Sequence, residues 1–172
     1  MRLHSKNLVM VEVIDNFLPS YQFKQLQSFL LNKPSNCDWY YNNGINGEDD
    51  PPGTYQFVHG FFDNSEVLDS PNFSLIQICA NKLDCNNLIR VKANLNPRTF
   101  FHRNGGYHLD SSFPMKVTIL YINTNNGCTM IKGYGKVKCV ANRLVKFHST
   151  MLHAGVSCTD EKVKVVVNFN YE

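Results

Sequence analysis

The hydrophobic pattern changes character along the chain, from helical spacing near the N-terminus to short alternating runs later. Leu8 to Ile14 is rich in valine and isoleucine and ends in a polar turn, which predicts a strand. In Tyr21 to Leu31 the apolar residues recur at helical spacing, so this segment is predicted to be a helix with one buried stripe that packs on a sheet. The stripe consists of Phe23, Leu26, Phe29 and Leu30.

The middle of the chain is less regular. Asn32 to Thr54 is rich in Asn, Asp, Gly and Pro, and a loop of this length is usually a lid, a recognition loop or disordered. Tyr55 to Phe62 is predicted to be a strand. Asn72 to Lys82 is predicted to be a second helix, because its apolar residues again share one face.

The second half of the chain reads as short strands separated by Gly- and Asn-containing turns. The predicted strands are Leu88 to Leu95, Tyr107 to Asp110, Lys116 to Ile122, Gly127 to Ile131, Val137 to Cys139, Leu144 to Phe147, and Val163 to Tyr171. Helices first and many strands afterwards predict an α+β fold whose second half closes into a sandwich or barrel. The length of 172 residues favours a single domain spanning 1–172.

Charge and cysteine content narrow the function classes. The net charge of +3 is spread along the chain without a polybasic block, which disfavours a dedicated nucleic-acid or anionic-membrane arm. No apolar stretch approaches the roughly 20 residues that a transmembrane helix needs, so we expect a cytoplasmic protein without a membrane partner. The six cysteines contain no CxxC pair and are interpreted as reduced thiols.

A candidate metal site begins at His108-Leu109-Asp110. If this stretch is a strand, its alternating side chains place the imidazole and the carboxylate on the same face. His153 follows after the strand that ends at Phe147. Two histidines and one carboxylate on one face of an octahedron leave positions open, and this set suits non-haem Fe(II) oxygen chemistry.

The third ligand has two candidates. His148 precedes His153 by five residues, but it ends the predicted strand and is expected to face a turn. His153 is preferred because Ala154 and Gly155 leave room beside a metal. His4, His59 and His102 are interpreted as ordinary surface or core histidines, and a solvated His-Asp pair in a surface turn is the simple alternative for His108 and Asp110.

With these residues in place, the chain resembles the 2-oxoglutarate/Fe(II)-dependent dioxygenase superfamily, in particular the small prolyl-4-hydroxylase-like proteins of bacteriophages. The resemblance implies a double-stranded β-helix (jelly-roll or cupin-like) core with the N-terminal helices packed on one sheet. It runs through Arg90 to Leu95, Tyr107 to Asp110, Ile119 to Gly127, Asn142 to Val145, and Val165 to Tyr171. If the protein is encoded by a phage, its expected location is the host cytoplasm.

The resemblance also implies how the cosubstrate is bound. A basic residue on the strand after the second histidine usually holds the distal carboxylate of 2-oxoglutarate. Here the matching position is Lys164, a point charge instead of the planar fork of arginine. Lys162 lies on the same strand face and is the alternative. Tyr121 matches a position whose phenol contacts the same carboxylate, although a buried aromatic of the β core is an equal interpretation.

The last strand supports this assignment through its alternation. Lys164, Val166, Asn168 and Asn170 share one face, which is expected to line the site, and the apolar residues of the other face are expected to pack on the helices. A departure lies at Asn96, where relatives often have a tyrosine near the cosubstrate.

The resemblance implies an enzyme that uses Fe(II), 2-oxoglutarate and O2, with ascorbate as an optional reductant. It would hydroxylate a C–H bond, most readily in a peptide or protein of prolyl type, with a small molecule as the alternative substrate. Trp39 to Thr54 and Phe100 to Gly106 are the candidate substrate walls, although for Trp39 itself a place in the core is favoured. Two other classes stay open: an inactive β-barrel binding module, and a nucleic-acid oxygenase that uses Arg90, Lys92, Arg98 and Arg103. Nucleic acid is disfavoured as a partner, and the oligomeric state is not indicated.

Overall fold

A computed structural model describes residues 11–32, 37–45 and 50–172. The helices are α1 (Ser20–Leu31) and α2 (Phe73–Lys82). The strands are β1 (Glu12–Ile14), β2 (Tyr40–Asn42), β3 (Gln56–Asp63), β4 (Glu66–Val67), β5 (Leu88–Pro97), β6 (Lys116–Tyr121), β7 (Cys128–Ile131), β8 (Gly135–Lys138), β9 (Leu144–His148), β10 (His153–Val156) and β11 (Val163–Tyr171).

Two antiparallel sheets form the core. The major sheet has the order β1-β9-β6-β11-β5-β3-β2, with β4 paired to β3, and the minor sheet has the order β10-β7-β8. The strands cross between the sheets in the manner of a double-stranded β-helix. The predicted α+β jelly-roll architecture is confirmed.

The two helices pack on the outer face of the major sheet. Phe23, Leu26, Phe29 and Leu30 of α1 are all buried, as the helical spacing predicted. They join Val165, Val167, Phe169 and Tyr171 of β11 in one core cluster, together with buried residues of α2. The apolar face of β11 therefore meets the helices, and its other face is left to the space between the sheets.

A second, smaller core cluster lies between the sheets. It includes Val117, Ile119 and Tyr121 of β6, Ile131 of β7, and Val145 and Phe147 of β9. These residues pack the two sheets together at one end of the space between them. The remaining space is an open cavity, described below.

Several element predictions need correction. Tyr107 to Asp110 is not a strand: only His108 makes an isolated bridge, and the chain bends at Asp110. The strand predicted at Val137 to Cys139 is β8, which begins earlier at Gly135. The Asn32 to Thr54 loop contains the short strand β2, and the predicted first strand is observed from Glu12, with Leu8 to Met10 outside the described residues. Strands β4 and β10 are not anticipated by the sequence pattern.

All six cysteines are free thiols, in agreement with the sequence interpretation. Within the described ranges, neither helix has the length and apolarity that crossing a lipid bilayer requires.

Candidate metal centre

Three side chains converge at one edge of the space between the sheets. His108, Asp110 and His153 each offer one ligand atom, and these atoms lie within 4.8 Å of one another. Asp110 Oδ1 is 3.5 Å from His108 Nε2 and 3.6 Å from His153 Nε2. These separations are too long for good hydrogen bonds, but they fit three atoms that face a common ion at metal-ligand distances of roughly 2.0–2.2 Å.

The backbone sets the two histidines side by side. His108 N donates to His153 O at 3.0 Å, and His153 N donates to His108 O at 3.1 Å. This antiparallel bridge places the two imidazole centroids 4.4 Å apart. The bridge thus brings together the two histidines, whereas His108 and Asp110, predicted to share a face through strand alternation, lie in a segment that is not a strand.

Backbone carbonyls orient both imidazoles. The Nδ1 atom of His108 is 3.3 Å from Gly106 O, and that of His153 is 3.1 Å from Met151 O. When Nδ1 carries the proton and donates it to a carbonyl, Nε2 keeps its lone pair for a metal. Burial lowers the pKa of His153, which favours the neutral ring that a metal requires.

The carboxylate of Asp110 is positioned through its second oxygen. Asn170 Nδ2 donates to Asp110 Oδ2 at 3.0 Å. Asn170 Oδ1 in turn accepts from Arg90 Nε and Nη2 at 3.3 and 3.2 Å, which fixes the orientation of the amide. Oδ1 of Asp110 is therefore left to face the two histidines.

Asp110 is ionised over the physiological pH range. Burial raises the pKa of its carboxyl, but the imidazoles of His108 and His153 and the Asn170 amide outweigh this effect. Together they lower the pKa from 3.8 to about 2. The site thus combines an ionised carboxylate with two imidazole side chains, which is the donor set typical of a non-haem Fe(II) centre with open positions.

The metal centre opens into a cavity of about 870 Å³. Both segments predicted as substrate walls contribute to it: Pro51 to Tyr55 on one side, and residues between Phe100 and Gly105 on the other. Trp39 is instead packed against the core and lies edge-on to His59, with ring centroids 6.4 Å apart. Trp39 is therefore part of the core and not of the cavity wall.

Lys164 lies in the wall of this cavity and is only 4% exposed. Its Nζ donates to Cys128 O at 3.0 Å and to Val156 O at 2.9 Å, so it points across to the minor sheet. Burial lowers the pKa of Lys164. Lys164 Nζ lies next to Gly155, since a Cβ on that residue would be in van der Waals contact with it at 3.5 Å. The alternative, Lys162, is exposed at the surface.

Tyr121 is fully buried, and its hydroxyl donates to Thr129 Oγ1 at 2.7 Å. Thr129 lines the cavity and lies opposite Gly155 in the β7–β10 register. The contact of Tyr121 with a cosubstrate stays a prediction, and Thr129 is the hydroxyl that the cavity wall presents there.

The other described histidines lie apart from the centre, and His4 is outside the described residues. His148 Nδ1 is 2.8 Å from Thr150 Oγ1 at the end of β9. His59 is buried and paired with Asp69, and His102 Nδ1 is 2.8 Å from Ser157 O. In the described parts of the chain, the group of three is the metal-ligand constellation found.

Four basic residues named as an alternative in the sequence also face the cavity. Arg90 and Lys92 lie half-buried on β5, and the exposed Arg98 and Arg103 follow in the loop.

Sequence reasoning missed the role of Asn170 as the partner of Asp110. The available signal was its alternation with Lys164 on β11, which placed it on the correct face but named no partner. It also missed Thr129 and Gln56, because nothing in their local sequence marks them as cavity residues.

The fold is shared with solved 2-oxoglutarate oxygenases. A 2OG-Fe(II) oxygenase family oxidoreductase from Burkholderia pseudomallei superposes with a TM-score of 0.68 at 8% identity, covering 94% of this chain and 84% of that one. A prolyl hydroxylase from Trichoplax adhaerens, solved with a hypoxia inducible factor oxygen degradation domain peptide fragment, gives 0.69 at 13% identity, with 96% and 84% covered. HygX from Streptomyces hygroscopicus, solved with nickel and 2-oxoglutarate, gives 0.62 at 11%, with 94% and 82% covered.

Comparison at the level of sequence finds no matching family model and no matching curated protein. Identities this low show the common fold, so the chemistry must be argued from the site itself.

Proposed function

We propose that this protein is an Fe(II)- and 2-oxoglutarate-dependent dioxygenase that hydroxylates a C–H bond and releases succinate and CO2. The observation that carries the proposal is the convergence of His108, Asp110 and His153 at the edge of a cavity that also contains a buried lysine. Structural ion pairs do not need two imidazoles whose Nε2 atoms face one carboxylate oxygen without bonding to it.

His108, Asp110 and His153 would hold the iron through two nitrogens and one oxygen, and leave its other positions to 2-oxoglutarate and O2. The bound iron and cosubstrate supply the oxidising chemistry. The protein orients the ligands through the Gly106, Met151 and Asn170 contacts, and it shields the reaction with the apolar residues between the sheets.

Lys164 would hold the distal carboxylate of 2-oxoglutarate. It lies beside Gly155, which follows His153 by two residues on β10, a spacing of roughly 6.6 Å along the strand. This spacing suits a short diacid that spans from the metal to the ammonium. Thr129, supported by the Tyr121 hydroxyl, is placed to add a hydrogen bond at the same end.

The proposed substrate is a peptidyl side chain of prolyl type. Among the fold neighbours, the Trichoplax adhaerens prolyl hydroxylase was solved with a peptide fragment. The cavity here is large enough for a peptide segment beside the cosubstrate, and its walls include Pro51, Pro52 and several aromatic residues.

The test measures the conversion of 2-oxoglutarate to succinate in the absence of an added substrate. Protein loaded anaerobically with Fe(II) and 2-oxoglutarate is exposed to O2, and succinate is measured against Asp110→Ala and a His148→Ala control. We expect slow succinate formation by wild type and His148→Ala, and none by Asp110→Ala. If wild type neither binds iron nor forms succinate with any of a broad substrate panel, the binding-module alternative is correct.

A further inference from the structure

The cavity carries positive charge that its own walls do not neutralise. Lys92, Arg98, Arg103 and Lys164 line it, together with Arg90, whereas Asp110 is the only carboxylate among the described residues of the lining. Within the described residues, none of these five cations is within ion-pair distance of a carboxylate. By contrast, Arg143 and Lys146 elsewhere on the surface are paired with Asp15 and Glu12.

The cosubstrate does not account for this excess. The charges of a ferrous ion and Lys164 together balance those of Asp110 and the two carboxylates of 2-oxoglutarate. The remaining cations therefore face the part of the cavity that the substrate would occupy. Unpaired positive charges that converge on one low-dielectric cleft favour an anionic ligand.

The inner cation lies close to the metal centre. Lys92 is on β5 directly opposite Asn168 of β11, and Asn168 is two residues before Asn170, which holds Asp110. Lys92 is half-buried, so an anion that reaches it must enter the cavity. Arg98 and Arg103 are exposed at the mouth, beside the 97% exposed Phe100 and the 82% exposed Phe101.

Two uncharged side chains in the wall also lack partners. Gln56 Nε2 and Asn94 Oδ1 are buried atoms without a hydrogen bond, and both residues line the cavity. Gln56 as a whole is only 1% exposed. A buried polar atom without a hydrogen bond is destabilising, and a ligand in the cavity that bonds to it would offset this cost. One free donor and one free acceptor on neighbouring strands are the complement of a peptide group, which offers one carbonyl and one N–H.

We propose that the substrate is an acidic peptide, with its backbone bound by Gln56 and Asn94 and its carboxylates bound by Lys92 near the metal and by Arg98 and Arg103 at the mouth. The inference rests on the proposed function and specifies its substrate class. A nucleic acid fits less well, because a base extruded into the cavity needs stacking rings inside it. Here Tyr55, Phe100 and Phe101 are exposed at the mouth, and the lining residues beside Lys92 in the β5–β11 pairing, Asn94 and Asn168, are amides.

Binding is measured on protein loaded with Mn(II) and saturating 2-oxoglutarate, so that the cosubstrate site is full and no turnover occurs. The probes are fluorescent nonapeptides with a central proline, flanked by Glu, Gln or Lys. We expect the Glu peptide to bind at least about tenfold more tightly than the Gln peptide, because charged hydrogen bonds are roughly twice as strong as neutral ones. The Lys peptide is expected to bind most weakly.

Four variants locate the contacts. Lys92→Gln should remove most of the preference for Glu, and Lys92→Arg should restore it. Lys24→Gln, which removes an exposed charge from α1, should change nothing. Gln56→Leu should weaken all three peptides by about tenfold while thermal stability holds or rises, since it deletes an unsatisfied buried amide. A purely structural role for Gln56 would not separate binding from stability in this way.

The inference is overturned if the Glu and Gln peptides bind equally or not at all, or if Lys92→Gln is without effect. It is also overturned if a single-stranded oligonucleotide, or free glutamate at the same concentration, displaces the Glu peptide more effectively than unlabelled Glu peptide does. Succinate formation by the iron-loaded protein without peptide is a separate readout. A protein that forms succinate but has no preference for acidic peptides would retain the proposed function and lose this substrate class.

Discussion

Two histidine–aspartate sites in the described parts of the chain differ in what their ring nitrogens face. In the first, both nitrogens of His59 are occupied: Nδ1 is 2.9 Å from Asp38 O, and Nε2 is 2.9 Å from Asp69 Oδ2. In the second, His108 and His153 use only Nδ1 for backbone contacts. Their Nε2 atoms face Asp110 Oδ1 at 3.5 and 3.6 Å.

The residues that surround the two sites also differ. His59 is enclosed by Phe29, Phe61 and Trp39 and borders a small cavity whose charged residues are Asp38 and Asp69. The His108 site borders the large cavity with its unpaired cations. Residue types alone would not separate the two sites. The difference is that a structural histidine has both nitrogens hydrogen-bonded, whereas a ligand site leaves lone pairs directed at one point.

The largest expected effect is the loss of metal from one site only. Alanine at His108, Asp110 or His153 removes one of three ligands and should lower Fe(II) or Co(II) affinity by at least about a hundredfold, more than an outer contact is worth. The measurement is anaerobic calorimetric titration, with folding followed by circular dichroism.

His59→Ala is the matched control for that comparison. It should leave metal affinity unchanged, but it should lower the free energy of unfolding by about 2–3 kcal/mol, because Asp69 loses a buried partner. Metal loss in His59→Ala would contradict the assignment of His59 as a structural histidine. Metal retention in His153→Ala together with metal loss in His148→Ala would contradict the assignment of His153 as a ligand.

The next effect concerns Lys164, the buried cation in the cavity beside the His108 site. Lys164→Met should weaken 2-oxoglutarate binding to the Mn(II)-loaded protein by about a hundredfold, since a charge-assisted hydrogen bond in a buried setting is worth roughly 2–3 kcal/mol. Metal affinity should stay within about twofold, because Lys164 contacts no ligand atom. Lys162→Met is the control on the same strand, and a loss of affinity there instead would reassign the anchor.

A smaller effect is expected from the contact that orients Asp110. Asn170→Leu removes the hydrogen bond to Asp110 Oδ2 and should lower metal affinity by about 10-fold, at the lower end of what such outer contacts are worth. Asn168→Leu changes the neighbouring amide on the same strand face and should leave metal affinity nearly unchanged. Equal losses in the two variants would show that the polarity of the cavity, and not the Asn170 contact, determines affinity.

The last effect concerns stability instead of binding, and it is a pH dependence of the metal-free protein. Because the pKa of Asp110 is lowered from 3.8 to about 2, its ionised form contributes stability that is fully present above pH 3.8 and is lost as the pH falls toward 2. The contribution is about 2 kcal/mol from the size of this shift. Denaturant titrations between pH 2 and 5 should show that the free energy of unfolding falls less steeply with acid in Asp110→Asn than in wild type. If it falls equally in both proteins, Asp110 is not the group whose pKa is lowered.

Some features of the fold followed directly from the sequence. Strand β11 was predicted with the observed bounds because its alternation is strict: Val163 to Tyr171 places an apolar residue at every second position. The stripe of α1 was predicted for the corresponding reason at helical period. In both cases burial of one face is encoded locally, so no tertiary information is needed.

Other features of the site depend on contacts distant in sequence. His153 begins β10, a four-residue strand of His, Ala, Gly and Val that has no alternating signal, and it is fixed by pairing with β7. His108 is aligned by its bridge to His153 and not by a strand of its own. Arg98 and Arg103 follow β5 in a loop, and their place at the cavity mouth depends on tertiary structure.

The most direct test of the central claim is the position of a bound ion. Crystals grown with Fe(II) or Mn(II) without oxygen, and with anomalous diffraction recorded at the metal edge, locate the ion independently of any assay. The account predicts one peak at about 2.0–2.2 Å from His108 Nε2, Asp110 Oδ1 and His153 Nε2. A peak at His59 and Asp69, or none at the His108 site under saturating metal, would contradict it.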